Sequence, residues 1–232
     1  MKSITSDPTL AAVLERLHDQ SEVQSAGLSE YFGRRIAERS LTGFSLDADA
    51  LRFLSDKLVA LDRPKAEFCF SVCRALRARR IVEAGTSFGV STLYLAAAVR
   101  ANSVEDGGAG LVIGTEHEPG KAAAARQHFA EAGLTDFIEL REGDLPGTLA
   151  DLAGPIDFML IDIWTAVALP ALKQVAPHLR PGAVIVCDNT TLYREAYRDY
   201  FNYVTESNGF STMTLPFDGG LEFTVKIRRE RP

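Results

Sequence analysis

Two carboxylates and an amide stand at the ends of two apolar segments of this sequence. The run FMLID ends in Asp162, and the run VIVCD ends in Asp188, which Asn189 follows. If both runs are buried strands, the three side chains lie beyond neighbouring strand ends, where the two carboxylates repel each other. A divalent cation such as Mg²⁺ removes that repulsion and prefers oxygen ligands. The pattern predicts a metal site that leaves positions for water and for a substrate oxygen, whose pKa the ion would lower.

The same three residues also have a purely structural interpretation. Asp162 is suited to capping the helix that follows it, and Asp188 with Asn189 is suited to an Asx turn. That alternative stays open for each residue taken alone. Their occurrence together at adjacent strand ends favours the metal site.

A loop with two glycines forms a second group of candidate residues. In EAGTSFGVS, Gly85 and Gly89 let a ligand approach the backbone, and the helix that follows offers free N–H groups. The spacing is not the dinucleotide fingerprint G-x-G-x-x-G, and Glu83 disfavours a pyrophosphate beside it. We therefore expect a cationic or zwitterionic ligand here, rather than the nicotinamide cofactor of a dehydrogenase.

Acidic residues also follow the second and third predicted strands. Glu116 suits a bidentate grip on ribose hydroxyls, and Asp144 is able to accept a hydrogen bond from an exocyclic amine. With Glu83, these residues fit a nucleoside that carries a positively charged, amino-acid-like end, which describes S-adenosylmethionine. The alternative is that Glu83 and Glu116 only cap helices.

Strands and helices alternate from residue 80 onward, as the βαβ units of a mainly parallel sheet require. Two last strands, FSTMTLPF and LEFTVKIRR, are joined by DGG, which predicts an antiparallel hairpin. The segment LYREAYRDYFNYVTES before them predicts a helix. We expect an α/β fold with a seven-stranded sheet and helices on both faces.

The first part of the chain has helical patterns only. Ser6 or Asp7 followed by Pro8 is a helix start signal, and SLDADALRFLSDKLVAL and RPKAEFCFSVCRALRARR predict two further helices. The sequence therefore predicts an N-terminal helical extension over residues 1–60 and the main domain over 61–232.

Composition limits the partners and the compartment. The net charge of −6 disfavours general nucleic-acid binding. No apolar run has membrane-spanning length, and MKSITSDPTL lacks the apolar region of a signal peptide, so we expect a cytoplasmic protein without a membrane partner. Cys69 and Cys73, four residues apart on one helix, are expected to be core residues and not ligands of zinc.

The segment from Ile81 to Asn189 resembles the class I, cation-dependent O-methyltransferases of the catechol O-methyltransferase type. IVEAGTSFGVS is similar to the first motif of that family, GTEHEP to the second, and the GD at Gly143 to its adenine-side turn. DIWTAVALP, RPGAVIVCDN and DGGLEFTVK resemble three later motifs, so the similarity covers roughly residues 58 to 228. It implies a Rossmann-like methyltransferase fold.

The resemblance implies transfer of a methyl group from S-adenosylmethionine to a hydroxyl of a small, catechol-like acceptor, with a divalent metal and a possible homodimer. Trp164 would wall the acceptor site, unless it simply packs in the core, and Tyr193 would form the opposite wall. The metal ligands would be Asp162, Asp188 and Asn189. The residues that bind the donor would be Lys65, Glu83, Gly85, Ser91, Glu116, His117, Asp144 and Asp162.

One departure from the family concerns catalysis. The family places a lysine that acts as general base directly after the tryptophan, and this chain has Thr165, whose hydroxyl is no base near neutral pH. The glutamate that many members carry near the last strands has no match around STMTLPF. Three possibilities follow: the metal alone acidifies the acceptor, Asp162 or the substrate takes the proton, or the chain binds S-adenosylmethionine for regulation or assembly without transferring its methyl group.

Overall fold

A seven-stranded sheet forms the centre of the computed structural model, which describes residues 7–37 and 48–227. The strand order is β3-β2-β1-β4-β5-β7-β6, and within the described residues β7 alone runs against the others. The predicted mainly parallel sheet and closing hairpin are confirmed. The strands are β1 (Arg80–Ala84), β2 (Leu111–Glu116), β3 (Ile138–Glu142), β4 (Ile156–Ile161), β5 (Leu179–Asp188), β6 (Phe210–Leu215) and β7 (Leu221–Lys226).

Helices cover both faces of the sheet because its central strands are apolar on both sides. The helices are α1 (Pro8–Ala37), α2 (Ala48–Leu54), α3 (Arg63–Ala75), α4 (Val90–Asp106), α5 (Pro119–Glu131), α6 (Leu145–Thr148), α7 (Thr165–Val175) and α8 (Arg198–Glu206). Along β4, Phe158 and Leu160 pack on one face with α1, α3 and α4, and Met159 and Ile161 pack on the other with α7 and α8. No helix in the described ranges is long and apolar enough to cross a membrane.

The N-terminal helix starts where the sequence signal places it. Asp7 Oδ1 accepts hydrogen bonds from the backbone N–H groups of Thr9 (3.0 Å) and Leu10 (3.2 Å), which makes Asp7 the cap. Ser6, the other candidate, lies outside the described residues. Leu10 and Leu17 are fully buried in the same core as α3 and α4. The division of the chain at residue 60 stays a prediction.

The predicted helix over residues 45–61 is shorter in the structure, where α2 ends at Leu54. Side chains of α1 accept hydrogen bonds from backbone N–H groups that would bond within a longer helix. Leu58 N–H donates to Gln24 Oε1 (2.9 Å), and Ala60 N–H donates to Ser21 Oγ (3.2 Å). The segment Leu58–Leu61 therefore runs as an irregular strap that buries Leu58 and Leu61.

The predicted helix over residues 192–207 begins later, at Arg198. The N–H groups of Thr191 and Leu192 both donate to the carbonyl oxygen of Gly219 (2.9 Å each), which holds this stretch against the β6–β7 turn. The chain after β5 consequently stays in turns until residue 197.

The amino-terminal edge of the sheet is held by one carboxylate. Asp157 Oδ2 accepts the N–H groups of Arg79 (2.8 Å) and Arg80 (2.9 Å), and Asp157 Oδ1 pairs with Arg180 Nε at 2.5 Å. Asp157 thereby ties β1, β4 and β5 together at the edge away from the strand ends where acidic residues gather.

A buried histidine links α1 to α4 and predicts a stability that depends on pH. His18 Nε2 lies 3.1 Å from Tyr94 Oη, and burial, followed by the Arg63 charge, lowers the pKa of His18 from 6.5 to about 4. As pH falls, His18 is protonated in the unfolded chain before it is protonated in the folded chain. The stability that depends on neutral His18 is therefore fully present above pH ~6.5, and about 2–3 kcal/mol of it is lost as pH falls toward ~4.

Denaturant unfolding of the wild type and His18→Gln at pH 7 and pH 4.5 measures this loss. The glutamine keeps a partner for Tyr94 but does not titrate, so we expect it to lose less stability between the two pH values. Equal losses in the two proteins would contradict the assignment.

Candidate functional site

Acidic side chains end or follow each of the parallel strands β1 to β5 at the carboxyl edge of the sheet. In the spatial order of the strands they are Asp144, Glu116, Glu83, Asp162 and Asp188. The structure thus brings the predicted residues to one rim, where ligands of open α/β sheets bind.

A narrow crevice opens at the middle of this rim, between the strap and the loop after β1. Gly85, Ser91 and Asp162, three of the predicted residues, line it. The sequence did not indicate the opposite wall, which is the Leu58–Leu61 strap. The full lining is Leu58, Val59, Ala60, Leu61, Gly85, Thr86, Ser87, Phe88, Val90, Ser91 and Asp162.

Gly85 sits where no side chain fits. Its φ is +99°, and a Cβ placed there would come within 2.1 Å of the Asp162 carbonyl oxygen and 2.6 Å of Ile163 Cγ2. The close approach arises because Asp162 N–H donates to the Ala84 carbonyl oxygen at 3.0 Å. Gly85 therefore lets the β1 loop and the β4 end form one continuous wall.

Glu83 lies behind that wall and is fully buried. Its Oε2 accepts hydrogen bonds from the hydroxyls of Thr86 (2.8 Å) and Thr92, and Ser91 donates to the same carboxylate. Its Oε1 is buried and has no hydrogen-bond partner in the described part of the chain. Burial raises the pKa of Glu83 although the three hydroxyls oppose the shift.

The two threonines that hold Glu83 were not predicted from the sequence. Thr86 and Thr92 follow Glu83 by three and nine residues. The only signal was the hydroxyl content of TSFGVST, which is equally typical of an exposed loop. Through these hydrogen bonds Glu83 fixes the shape of the loop that lines the crevice.

The loop after β1 is fastened to β2 by Glu116. Glu116 Oε2 accepts the N–H of Ser87 at 2.7 Å, and its Oε1 accepts the N–H of Glu118 at 2.8 Å. Each carboxylate oxygen retains lone-pair capacity for a hydroxyl, so Glu116 remains suited to ribose.

His117 and Asp144 form an exposed pair at the far end of the rim. The distance from His117 Nδ1 to Asp144 Oδ1 is 3.1 Å. Asp144 also lines a second, shallow depression with Gly143 and Thr148 beside the end of β3. The two predicted adenine-side residues are therefore neighbours.

Asp162 follows β4 and Asp188 ends the neighbouring strand β5. Burial, and then the charges of Asp188 and Glu83, raise the pKa of Asp162 well above its usual range. Asp162 is closely surrounded but keeps part of its surface open to the crevice. The rim therefore concentrates more negative charge than its protein surroundings neutralise, which favours a cationic ligand.

Lys65 on α3 supplies the positive charge that this cluster does contain. Its side chain is only 2% exposed, and its Nζ lies 2.7 Å from Asp188 Oδ1 and 3.3 Å from Asp62 Oδ2. Burial alone would lower the pKa of Lys65, but the two carboxylates outweigh burial and raise it. The sequence resemblance indicated a lysine near the donor pocket, and the structure pairs it with a predicted metal ligand.

The predicted metal ligands do not form an open set of oxygens. Asp188 Oδ2 accepts a hydrogen bond from Asn189 Nδ2 at 2.9 Å, and Asp188 Oδ1 faces Lys65. Asn189 Oδ1 lies against Gly219, where a Cβ would approach it to 2.6 Å. No group of three His, Cys, Asp or Glu side chains within residues 7–37 and 48–227 is arranged to hold a metal. As arranged, Asp188 and Asn189 do not offer free oxygens to a divalent ion, whereas Asp162 stays open to the crevice.

Apolar side chains flank the same rim. Trp164 is 51% exposed, so it is not a core residue, and Leu192 is 60% exposed. Tyr193 is half-buried, and burial followed by the Asp188 charge raises its pKa. Thr165 is the first residue of α7, next to Trp164. An aromatic and aliphatic surface thus adjoins the carboxylates.

Comparisons with known proteins relate the chain to methyltransferases. A family described as a methyltransferase domain matches residues 82–190. A catechol O-methyltransferase from Mycobacterium tuberculosis is 33% identical over 132 residues, covering 56% of this chain and 57% of that protein. One from Niastella koreensis is 30% identical over 135 residues, covering 56% of this chain and 58% of that protein. The chain thus spans under two thirds of the length of these relatives.

Solved structures show the same fold. An O-methyltransferase from Bacillus cereus in complex with SAH superposes with a TM-score of 0.68 at 21% sequence identity, covering 96% of this chain and 92% of that chain. The Rossmann-like fold expected from the sequence is confirmed by this likeness and by the observed strand order.

Proposed function

We propose that the chain, which is similar to O-methyltransferases, transfers the methyl group of S-adenosylmethionine to a hydroxyl oxygen of a small acceptor. The observation that carries this proposal is the acidic crevice between the strap and the β1 loop, where Asp162 is open to a ligand and Glu83 stands behind it. A sulfonium with an adjacent ammonium is the donor chemistry that such a charge distribution favours.

The remaining rim supports the rest of the donor. Glu116 is held by two backbone N–H groups in an orientation that leaves acceptor capacity for the ribose hydroxyls. His117, next to Glu116, and Asp144, one strand further along the rim, lie 3.1 Å apart and would flank the adenine. The relative from B. cereus was solved with SAH, the demethylated donor.

The acceptor would be a planar aromatic hydroxyl compound of catechol type. Trp164 and Leu192 are exposed beyond the ends of β4 and β5, and Tyr193, next to Leu192, would form the opposite wall. Such side chains suit the faces of an aromatic ring, whereas the acidic rim suits its hydroxyl groups. The two catechol O-methyltransferases among the relatives agree with this acceptor class.

The reaction is a single displacement. The acceptor oxygen forms a bond to the methyl carbon, the bond from that carbon to sulfur breaks, and the hydroxyl proton leaves, which gives the methyl ether, S-adenosylhomocysteine and one proton. The chain's contribution is alignment of oxygen, carbon and sulfur and the placement of charge. No step is assigned to the divalent ion predicted from the sequence, because Asp188, one of its expected ligands, pairs with Lys65 and accepts a hydrogen bond from Asn189.

Transfer of a labelled methyl group from S-adenosylmethionine to catechol tests the proposal. We expect labelled methyl ether with catechol and none with benzene, which lacks the hydroxyl. Binding of S-adenosylhomocysteine without transfer to any phenol or catechol in a broad panel would instead support the alternative, a donor-binding protein without methyltransferase activity. Absence of both binding and transfer would reject the proposal.

Thr165→Lys is expected to increase methylation of catechol by about tenfold, because an amine next to Trp164 would accept the proton that a threonine hydroxyl does not. Initial rates across pH 6 to 9 measure the effect. Thr165→Met is the matched control, since methionine has comparable length but no amine. Equal rates for the lysine and methionine variants at every pH would mean that residue 165 does not face the acceptor.

A further inference from the structure

The lysine paired with Asp188 has a position that is fixed by the core. Lys65 lies in the first turn of α3, and Ala66, Cys69 and Cys73 on that helix are buried against the sheet. The helix therefore has little freedom to withdraw, and the lysine stem runs through a buried path to the rim. Its ammonium group is a permanent part of the cluster.

The ammonium group occupies the side of Asp188 that a metal would need. Its Nζ lies 2.7 Å from Asp188 Oδ1, an oxygen that receives no well-aligned hydrogen bond from the described residues. The other oxygen, Oδ2, is taken by the Asn189 amide, whose own oxygen faces the Gly219 backbone. A divalent ion at Asp188 would have to displace Lys65 and rotate Asn189.

We propose that the Lys65 ammonium, and not a divalent ion, neutralises Asp188 at this rim, so that the methyl transfer proposed above needs no added metal. A cation entering beside Lys65 would meet a like charge at close range, and an ammonium displaced from Asp188 would stay buried and lose its 2.7 Å contact. Lys65 is thus a positioning residue that orders Asp188 from within the chain. The part of this inference that concerns activity rests on the proposed function, whereas the part that concerns metal binding does not.

Manganese binding provides a test that does not depend on activity. The full chain is titrated with Mn²⁺ alone, and the free ion is followed by electron paramagnetic resonance. We expect no stoichiometric binding by the wild type at about 1 mM Mn²⁺, a range in which open carboxylate sites are occupied. One Mn²⁺ bound per chain at lower concentration would overturn the inference without any variant.

Lys65→Met is expected to bind Mn²⁺ at least about tenfold more tightly than the wild type, since it frees Asp188 Oδ1 and leaves a buried carboxylate without a cation. Lys57→Met is the matched control, because Lys57 pairs with the exposed Asp56 and should bind as the wild type does. Circular dichroism establishes that each variant is folded. If folded Lys65→Met does not gain affinity, Lys65 does not occupy the metal position.

Methyl transfer by the wild type with and without EDTA completes the test. Equal rates support the inference, and a rate abolished by EDTA and restored by Mg²⁺ overturns it. Transfer absent under both conditions, with the expected Mn²⁺ results, would reject the proposed function and leave the assignment of Lys65 intact.

Discussion

Asp162→Asn should weaken the binding of S-adenosylhomocysteine by about 100-fold, because it removes a carboxylate that belongs to the acidic cluster and is open to the crevice. A ligand ammonium would lose a charge-assisted contact. The substitution changes almost no volume, so packing against Gly85 and Ile163 should persist. Isothermal titration calorimetry measures the affinity, and thermal unfolding measures the integrity of the fold.

Asp157→Asn is the matched control, since it makes the same change at the other end of the same strand. Asp157 binds Arg79, Arg80 and Arg180 at the amino-terminal edge of the sheet. We expect this variant to lose stability and to bind the ligand within about twofold of the wild type. A comparable loss of affinity in both variants would mean that the fold, and not the crevice charge, determines binding.

Gly85→Ala should destabilise the chain by about 3–5 kcal/mol, the largest stability effect that we expect for a single methyl group here. The added Cβ meets the Asp162 carbonyl oxygen at 2.1 Å, and the backbone must also keep a φ of +99°. Neither the carbonyl nor the β1 loop is free to move, because the Ala84–Asp162 hydrogen bond joins them. Denaturant unfolding gives the free energy directly.

Gly133→Ala separates the two causes of that loss. Gly133 also has a positive φ (+64°), but a Cβ there has open space within 4 Å. We expect a loss of only about 1 kcal/mol, which is the backbone term alone. If Gly85→Ala costs no more than Gly133→Ala, the close approach at the crevice wall is not a constraint on the fold.

The sheet and the acidic rim were predictable because their signals are local. Apolar runs such as FMLID and VIVCD indicate buried strands, and parallel strands bring the residues at their carboxyl ends to one edge of the sheet. The sequence therefore predicts a common rim for Asp162, Asp188 and Glu116.

The contacts that define the site were not predictable, since they join distant parts of the chain. The strap is not helical because Gln24 and Ser21 of α1 accept hydrogen bonds from its N–H groups, while its own sequence favours a helix. Likewise, α8 begins late because the Gly219 carbonyl oxygen accepts the N–H groups of Thr191 and Leu192, a contact that no local sequence pattern indicates. The pairing of Lys65 with Asp188 spans more than a hundred residues, so charge pattern alone predicted a metal where the structure has an ammonium group.

A crystal structure of the chain grown with S-adenosylhomocysteine and without divalent metal tests the central claim most directly. We predict the ligand's amino group within hydrogen-bond distance of Asp162 in the crevice between Leu58–Leu61 and Gly85–Ser91, and its ribose on Glu116. An empty crevice, with the ligand bound elsewhere or not at all, would contradict the account.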